Sequence, residues 1–271
     1  MENDKLKLHA KNIRKNIIKM IYTAQSGHPG GALSITDIMT FLYFEEMNVD
    51  ANNPRWADRD RLVLSKGHAS AALYASLAEK GFLPEDELLT FRKIHSRLQG
   101  HPDMNKLLGV DMSSGSLGQG LSAANGMALA AKLDKKDYRV YCILGDGEID
   151  EGQVWEAAMS ASHYKLDNLC VIVDYNGLQI DGQTQNVMNL LSISEKFKAF
   201  GFEVFDIDGH NFDAIRNAFE SARKIKNKPV AIIAKTIKGK GVSFMEDNAG
   251  WHGKAPNEEE YNQAITDIDN N

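Results

Sequence analysis

Cysteine is scarce in this chain: there are two, Cys142 and Cys170, in 271 residues. Both fall inside apolar runs that read as buried strands, so they serve as small core residues rather than a disulfide, and they suit a reducing cytoplasm. Positive charge is not in excess, with 31 Lys and Arg against 37 Asp and Glu and a net charge of −6. A mildly acidic chain has no electrostatic reason to seek nucleic acid or an anionic membrane, although local fields can still favour a phosphorylated substrate. The opening residues, MENDKLKLHAKNIRKNIIKMIY, hold no apolar signal core, and no stretch is long enough to span a bilayer. No G-x-G-x-x-G directly follows a first strand, which removes the mark of a nicotinamide-dependent α/β enzyme. Internal repeats, low-complexity tracts and an obvious interdomain linker are missing as well. What is left is ordinary globular composition, 43% hydrophobic and 25% charged, with length for a proper core in one large domain or two small ones.

Apolar residues at Leu6, Ala10, Ile13, Ile17, Ile21 and Ala24 have helical spacing over residues 5–24. Ser26-Gly27-His28-Pro29-Gly30-Gly31 should end that helix, and a second is expected over 35–47 with Ser34 as its N-cap. A strand at 61–64 leads into an alanine-rich helix at 69–80, and Pro84 opens a short acidic helix. Residues 95–117 read as a long loop of the functional or mobile kind, and 119–133 as an Ala/Gly-rich helix that packs closely. Thereafter strands at 139–144, 169–173, 202–207 and 230–236 alternate with helices at 153–164, 193–200 and 212–225. The polar tail, 257–271, allows a short helix. Nearly continuous apolar strands with helical crossovers predict an α/β fold, a parallel sheet covered by helices on both faces. Ligands in such sheets bind beyond the carboxyl ends of the strands.

Two of those ends carry the most specific chemistry. One apolar run ends in Gly145-Asp146-Gly147 and the next in Tyr175-Asn176, with a helix-length segment between. Asp146 and Asn176 offer hard oxygen ligands, and the flanking glycines let a bulky anion approach the backbone. That suits a magnesium ion shared with phosphate oxygens. Four of the eight histidines directly follow glycine, namely His28, His68, His101 and His210, where chance placement gives fewer than one. Singly each is most simply a surface or core histidine; as a set they ask for a function.

The segments SGHPGG at 26–31, LSKGHAS at 64–70, GHP at 100–102, GSLGQGLSAANGMA at 115–128, GDG…N at 145–176 and KTIKGKG…WHG at 235–253 occur in this order. Together they resemble the amino-terminal, diphosphate-binding half of transketolase, over nearly the whole chain. Deoxyxylulose-phosphate synthase is a related thiamine diphosphate enzyme, but SGHPGG and GHP favour transketolase. The resemblance implies thiamine diphosphate and Mg2+ as cofactors. Asp146, Asn176 and the carbonyl of Leu178 match the metal ligands. Gly147, His68 and the Gly115-Ser116-Leu117 loop match cofactor contacts; the family often has Pro where Ser116 stands. His28, His101 and His252 match catalytic residues facing the donor sugar and the covalent intermediate, His252 also touching the cofactor. Glu151 matches an acidic position of the GDG segment, and a plain helix N-terminal charge explains it equally well. Neutral histidines around one cofactor suit the proton transfers that a polyhydroxy substrate needs.

Weaker features have plain readings. Lys235, Lys238 and Lys240 could meet phosphate but read more simply as a solvated basic edge, Trp155 and Tyr164 read as packing or interface residues, and Asp208-Gly209-His210 resembles a family motif that a plain turn mostly explains. The family continues into pyrimidine-binding and carboxyl-terminal domains, which this sequence does not contain. Residues 1–271 are therefore expected to be one diphosphate-binding domain, the amino-terminal subunit of a split transketolase that pairs with a carboxyl-terminal subunit in an α2β2 heterotetramer. Met1 and the acidic finish suit a complete gene product, with a truncated fragment as the competing explanation. A non-catalytic cofactor-binding subunit is the other reading, and His28, His101 and His252 speak against it.

Overall fold

The computed structural model describes residues 1–270. Five parallel strands form its central sheet: β1 (Arg61–Leu64), β2 (Val140–Gly145), β3 (Leu169–Tyr175), and, beyond a small antiparallel hairpin of β4 (Leu178–Gln179) and β5 (Gly182–Gln183), β6 (Glu203–Asp208) and β7 (Val230–Lys235). Their order is β1-β2-β3-β7-β6. Register brings Leu64 beside Ile143, Gly145 beside Asp174 and Tyr175 beside Lys235. The residues that follow β1, β2, β3 and β7 therefore emerge at one level, along one edge.

Among the described residues, ten α-helices accompany the sheet: α1 (Asn3–Ala24), α2 (Pro29–Ser34), α3 (Thr36–Phe41), α4 (Ser70–Lys80), α5 (Gln119–Leu133), α6 (Gly152–His163), α7 (Thr184–Val187), α8 (Ile193–Ala199), α9 (Phe212–Lys224) and α10 (Glu258–Asn270). Alternate strand residues divide the core. Cys142, Leu144, Val171, Val173 and Ile233 pack with α5, α6 and α8, whereas Tyr141, Ile143, Cys170, Ile172 and Ile232 pack with α1, α3, α4 and α9. Helices thus cover both faces, as the apolar strands predict. The two cysteines point to opposite faces and both are free and buried. On α1, Leu6, Ile13, Ile17, Ile18 and Ile21 are completely buried, each contributing roughly 1.5–3 kcal/mol relative to exposure. Among the described residues, no helix is long and apolar enough to cross a membrane.

Some boundaries differ from the sequence expectation. The helix expected over 35–47 begins earlier and is broken: Pro29, at the first turn of α2, restarts the helix at once, and α3 continues as a π-turn over Leu42–Glu46. Ser34 is no N-cap. It ends α2, and its hydroxyl donates to Gly31 O and Asp174 Oδ2. The acidic helix after Pro84 is a 3-10 helix, Glu85–Thr90. β3 runs on to Tyr175, so Asp174 belongs to the strand itself. The tail forms α10, and its final residue, Asn271, lies outside the described residues.

Candidate active site

The carboxyl ends of the strands are knitted together by one buried carboxylate. Asp174 is 0% exposed. It accepts from Lys66 Nζ at 2.5 Å, Ser34 Oγ at 2.7 Å and Asn176 Nδ2 at 2.9 Å, and also from Thr236 Oγ1. Burial alone pushes its pKa up; Lys66 and the hydroxyl donors more than reverse this, holding it below the usual range. A second buried carboxylate, Glu148, accepts from Ser65 Oγ at 2.5 Å and from the backbone N–H of Gly118 and Gly145, each at 3.0 Å. It fastens the 115–118 loop to the ends of β1 and β2. Neither Asp174 nor Glu148 stood out in the sequence. The usable signal for Asp174 was an acid inside an apolar run, which burial permits only with partners.

Over this frame opens a cavity of about 340 Å³. Of the residues matched to the site by resemblance, His28, His68, Gly115, Leu117, Asp146, Gly147, Asn176, Leu178 and His252 line it. Asp146, 2% exposed, accepts from Gly147 N at 2.9 Å and Gly177 N at 2.6 Å. Burial and the neighbouring Asp174 nevertheless push its pKa up to about 7. Asn176 Oδ1 accepts from Leu178 N at 3.1 Å. A Cβ at Gly147 would stand 2.8 Å from Gln179 Oε1 and 3.0 Å from its Cβ, so a side chain here would crowd Gln179 on this wall. His101 stands just outside the lining, its ring 6.5 Å from that of His28 and against Gly115. Ser116 and Glu151 are exposed and do not line the cavity; Glu151 flanks the start of α6, as a helix-terminal charge would.

Lys238 corrects the reading of a solvated basic edge. It is 2% exposed and lines the cavity, donating from Nζ to Leu178 O at 3.2 Å and lying 3.0 Å from His252 Nδ1. Burial and the proximity of Lys66 lower its pKa to about 8. Lys240 pairs with Glu246 and Lys235 is exposed, in keeping with the plain reading for those two. His210 does not reach the cavity.

The histidines form a cluster. The ring centroids of His28, His68 and His252 lie 5.3 to 5.5 Å from one another. Burial above all disfavours their charged forms, lowering His28 to about 4, with Arg92, His101 and Lys238 adding to the effect. His68 falls to about 2 through burial and Lys66, and His252 to about 3 through burial and Lys238. His101 is lowered too, by burial and Arg92. All four are neutral at physiological pH, each able to accept one proton and donate another. In an NMR titration from about pH 8 to about pH 5, the rings of His28, His68 and His252 are expected to stay neutral, whereas a free imidazole side chain in a model peptide titrates near about 6.5. The unfolded chain takes up protons in that window and the native rings do not. Their contribution to stability therefore shrinks as pH falls below about 6.5. Ordinary titration of the three rings near 6.5 would contradict the electrostatic picture.

The profile "Transketolase, thiamine diphosphate binding domain" matches residues 6–269. The chain is 47% identical over 264 residues to the 6-deoxy-6-sulfo-D-fructose transketolase subunit SqwG of Clostridium sp. (strain MSTE9), covering 97% of this chain and 96% of that protein. It is 42% identical over 268 residues to an apulose-4-phosphate transketolase subunit of Phocaeicola vulgatus, covering 99% and 95%. The crystal structure of transketolase from Campylobacter jejuni superposes with a TM-score of 0.94 at 38% identity, over 99% of this chain but 43% of that one. The chain thus spans less than half of the full-length enzyme it matches. By profile, sequence and fold alike, it belongs to the transketolase family and is built as that family's thiamine diphosphate-binding domain.

Proposed function

We propose that this chain is the amino-terminal, diphosphate-binding subunit of a transketolase. With a second polypeptide carrying the pyrimidine-binding and carboxyl-terminal domains, it would move a two-carbon ketol unit from a ketose phosphate to an aldose phosphate, using thiamine diphosphate and Mg2+. The observation that carries the reading is the cavity, where two buried lysines and neutral histidines face Asp146 and Asn176. The two relatives of similar length are named for 6-deoxy-6-sulfo-D-fructose and apulose-4-phosphate, which favours a specialised anionic sugar as donor.

The residues present fit both cofactors. Asp146 is a buried carboxylate with no side-chain cation bonded to it among the described residues, and burial and the neighbouring Asp174 raise its pKa. The Leu178 carbonyl already draws the ammonium of Lys238. One carboxylate, one carboxamide and one carbonyl are too few for a closed protein cage, and no group of three His, Cys, Asp or Glu that could hold a metal exists among the described residues. That is the donor set of Mg2+ shared with phosphate oxygens. Lys66 and Lys238 would neutralise the diphosphate, and the close backbone at Gly147 would meet it.

When bound, thiamine diphosphate supplies the carbon nucleophile that no side chain of the chain can provide. The protein's part is to hold protons. His28 lines the cavity, and its buried Nδ1 has no hydrogen-bond partner among the described residues. His28, His101 and His252 would exchange protons with those hydroxyls, each worth roughly 10²–10⁴-fold in rate. His68, beside Lys66, would face the phosphate end.

The proposed assembly is an α2β2 heterotetramer in which the 115–120 loop and α5 are buried. The test mixes ketose and aldose phosphates with this chain alone, then with the partner recovered by co-purification from the native source. Transfer is expected only with both. Full transfer by the isolated chain, free of any other subunit, overturns the split-enzyme reading.

A further inference from the structure

The Asp208-Gly209-His210 turn lies outside the cavity, yet His210 is tied to it. Its Nε2 accepts the backbone N–H of Ile237 at 2.9 Å. That assigns the ring proton to Nδ1, which donates to Asp37 Oδ2 at 2.7 Å. Asp37, on α3, is also held by Arg14 of α1 through two bonds of 3.0 and 2.6 Å. The same guanidinium donates from Nε to the carbonyl of Lys240 at 3.2 Å. One carboxylate therefore anchors the two groups that grip both ends of residues 237–240. The middle is pinned as well. Gly239 N donates to Gly30 O at 3.0 Å, and Gly239 has φ +79°, where a Cβ would stand 2.3 Å from Met245 O. The side chain that this gripped tetrapeptide delivers to the cavity is Lys238.

A turn alone would not call for this arrangement. Arg14, Asp37 and His210 are all largely buried, with side-chain exposures of 12%, 8% and 13%. A buried ion pair is commonly no more stabilising than apolar residues of the same volume. What the network does provide is a fixed backbone beneath a buried lysine whose hydrogen-bond partners among the described residues are a neutral ring and a carbonyl.

We propose that Arg14, Asp37 and His210 are positioning residues that hold Lys238 against the diphosphate of the cofactor; this rests on the cofactor reading given above. They touch neither substrate nor cofactor and act through the backbone of residues 237–240.

The test uses the full chain and calorimetric titration with thiamine diphosphate in saturating Mg2+. His210→Phe, which removes both ring hydrogen bonds, is expected to weaken binding by about 10–100-fold, the range for outer-shell partners. His210→Gln, whose carboxamide has one donor and one acceptor, is expected to recover most of that loss. Lys238→Met should weaken binding similarly, and His210→Phe should add little on top of it, because both act through one ammonium. Additive losses in the double variant, or unchanged affinity in His210→Phe, overturn the proposal. Should Phe at 210 prevent folding, Asp37→Asn is read in the same way. Hydrogen exchange of the Ile237 amide gives a second measure that needs no cofactor. It is expected to accelerate in His210→Phe while the amides of β7 stay protected, and an unchanged rate overturns the clamp. A wild-type chain that binds no cofactor even when assembled with its partner subunit would instead overturn the functional reading, leaving the exchange result to judge the clamp.

Discussion

Asp174→Ala is expected to destabilise the chain by about 3–5 kcal/mol, the largest stability loss of any single change at the site. The carboxylate removed is fully buried and joins β3 to Lys66, Ser34, Thr236 and Asn176. Truncation leaves the Lys66 ammonium, itself 1% exposed, without the carboxylate that pairs with it directly, in a region of low dielectric. A domain has roughly 5–15 kcal/mol in hand, so the loss takes a large part of it. Urea unfolding of the two chains measures it. Replacing both partners, Asp174→Leu with Lys66→Met, should recover part of the loss, since no charge is then stranded. A single variant within about 1 kcal/mol of wild type would mean that Lys66 finds water or another acid, and that the hub does not hold the strands. The pH dependence follows. Because the folded pKa of Asp174 is depressed, its contribution is present above the unfolded carboxylate range and is lost as pH falls through the lower folded value.

Asp146→Ala should do the opposite: little harm to the fold and a complete loss of cofactor binding. Asp146 faces Asp174, and its raised pKa shows that its charge is poorly supported by the protein alone. Removing it relieves that repulsion, which offsets the two backbone hydrogen bonds lost from Gly147 and Gly177. Binding of thiamine diphosphate with Mg2+ needs the carboxylate as the one formally charged protein ligand. Calorimetry is expected to show no measurable heat of binding in the variant, while its unfolding midpoint stays close to wild type. Undiminished binding would remove Asp146, and with it Asn176 and Leu178, from the metal assignment. The pairing of the two results is itself informative: a residue whose loss leaves the fold intact and abolishes binding was kept for binding.

Sequence alone carries a reader far into this molecule. Strand alternation after residue 139 gives the parallel sheet, because β-strands buried on both faces are apolar throughout and need no partner to be recognised. Most of the matched residues line the cavity, since Gly-His and Gly-Asp-Gly pairs sit where the chain turns at a strand end. Side-chain partnership is what the one-dimensional pattern hides. Lys238 looks like one cation among three on a polar stretch, and only the fold shows that it turns inward while Lys235 stays in solvent. Asp174 and Glu148 look like the ends of an apolar run and of a turn, and their partners come from segments remote in the chain. The early start of the helix at Pro29 was hidden by Gly30 and Gly31, which weaken helix propensity but are tolerated where the backbone packs closely, as Gly30 does against Lys238 and Trp251.

The walls of the cavity have one more property. His28 and His252 stand near opposite ends of the sequence, yet their rings meet at 5.5 Å, and Gly30 accepts from Gly239 across the same divide. Contacts between such distant segments are made after the loops between them have closed, so they belong to the slow, non-local part of folding. Any group bound between those walls grips contacts that are absent until the chain is nearly native. It therefore retards the escape from the folded state and leaves the speed of reaching it almost unaltered.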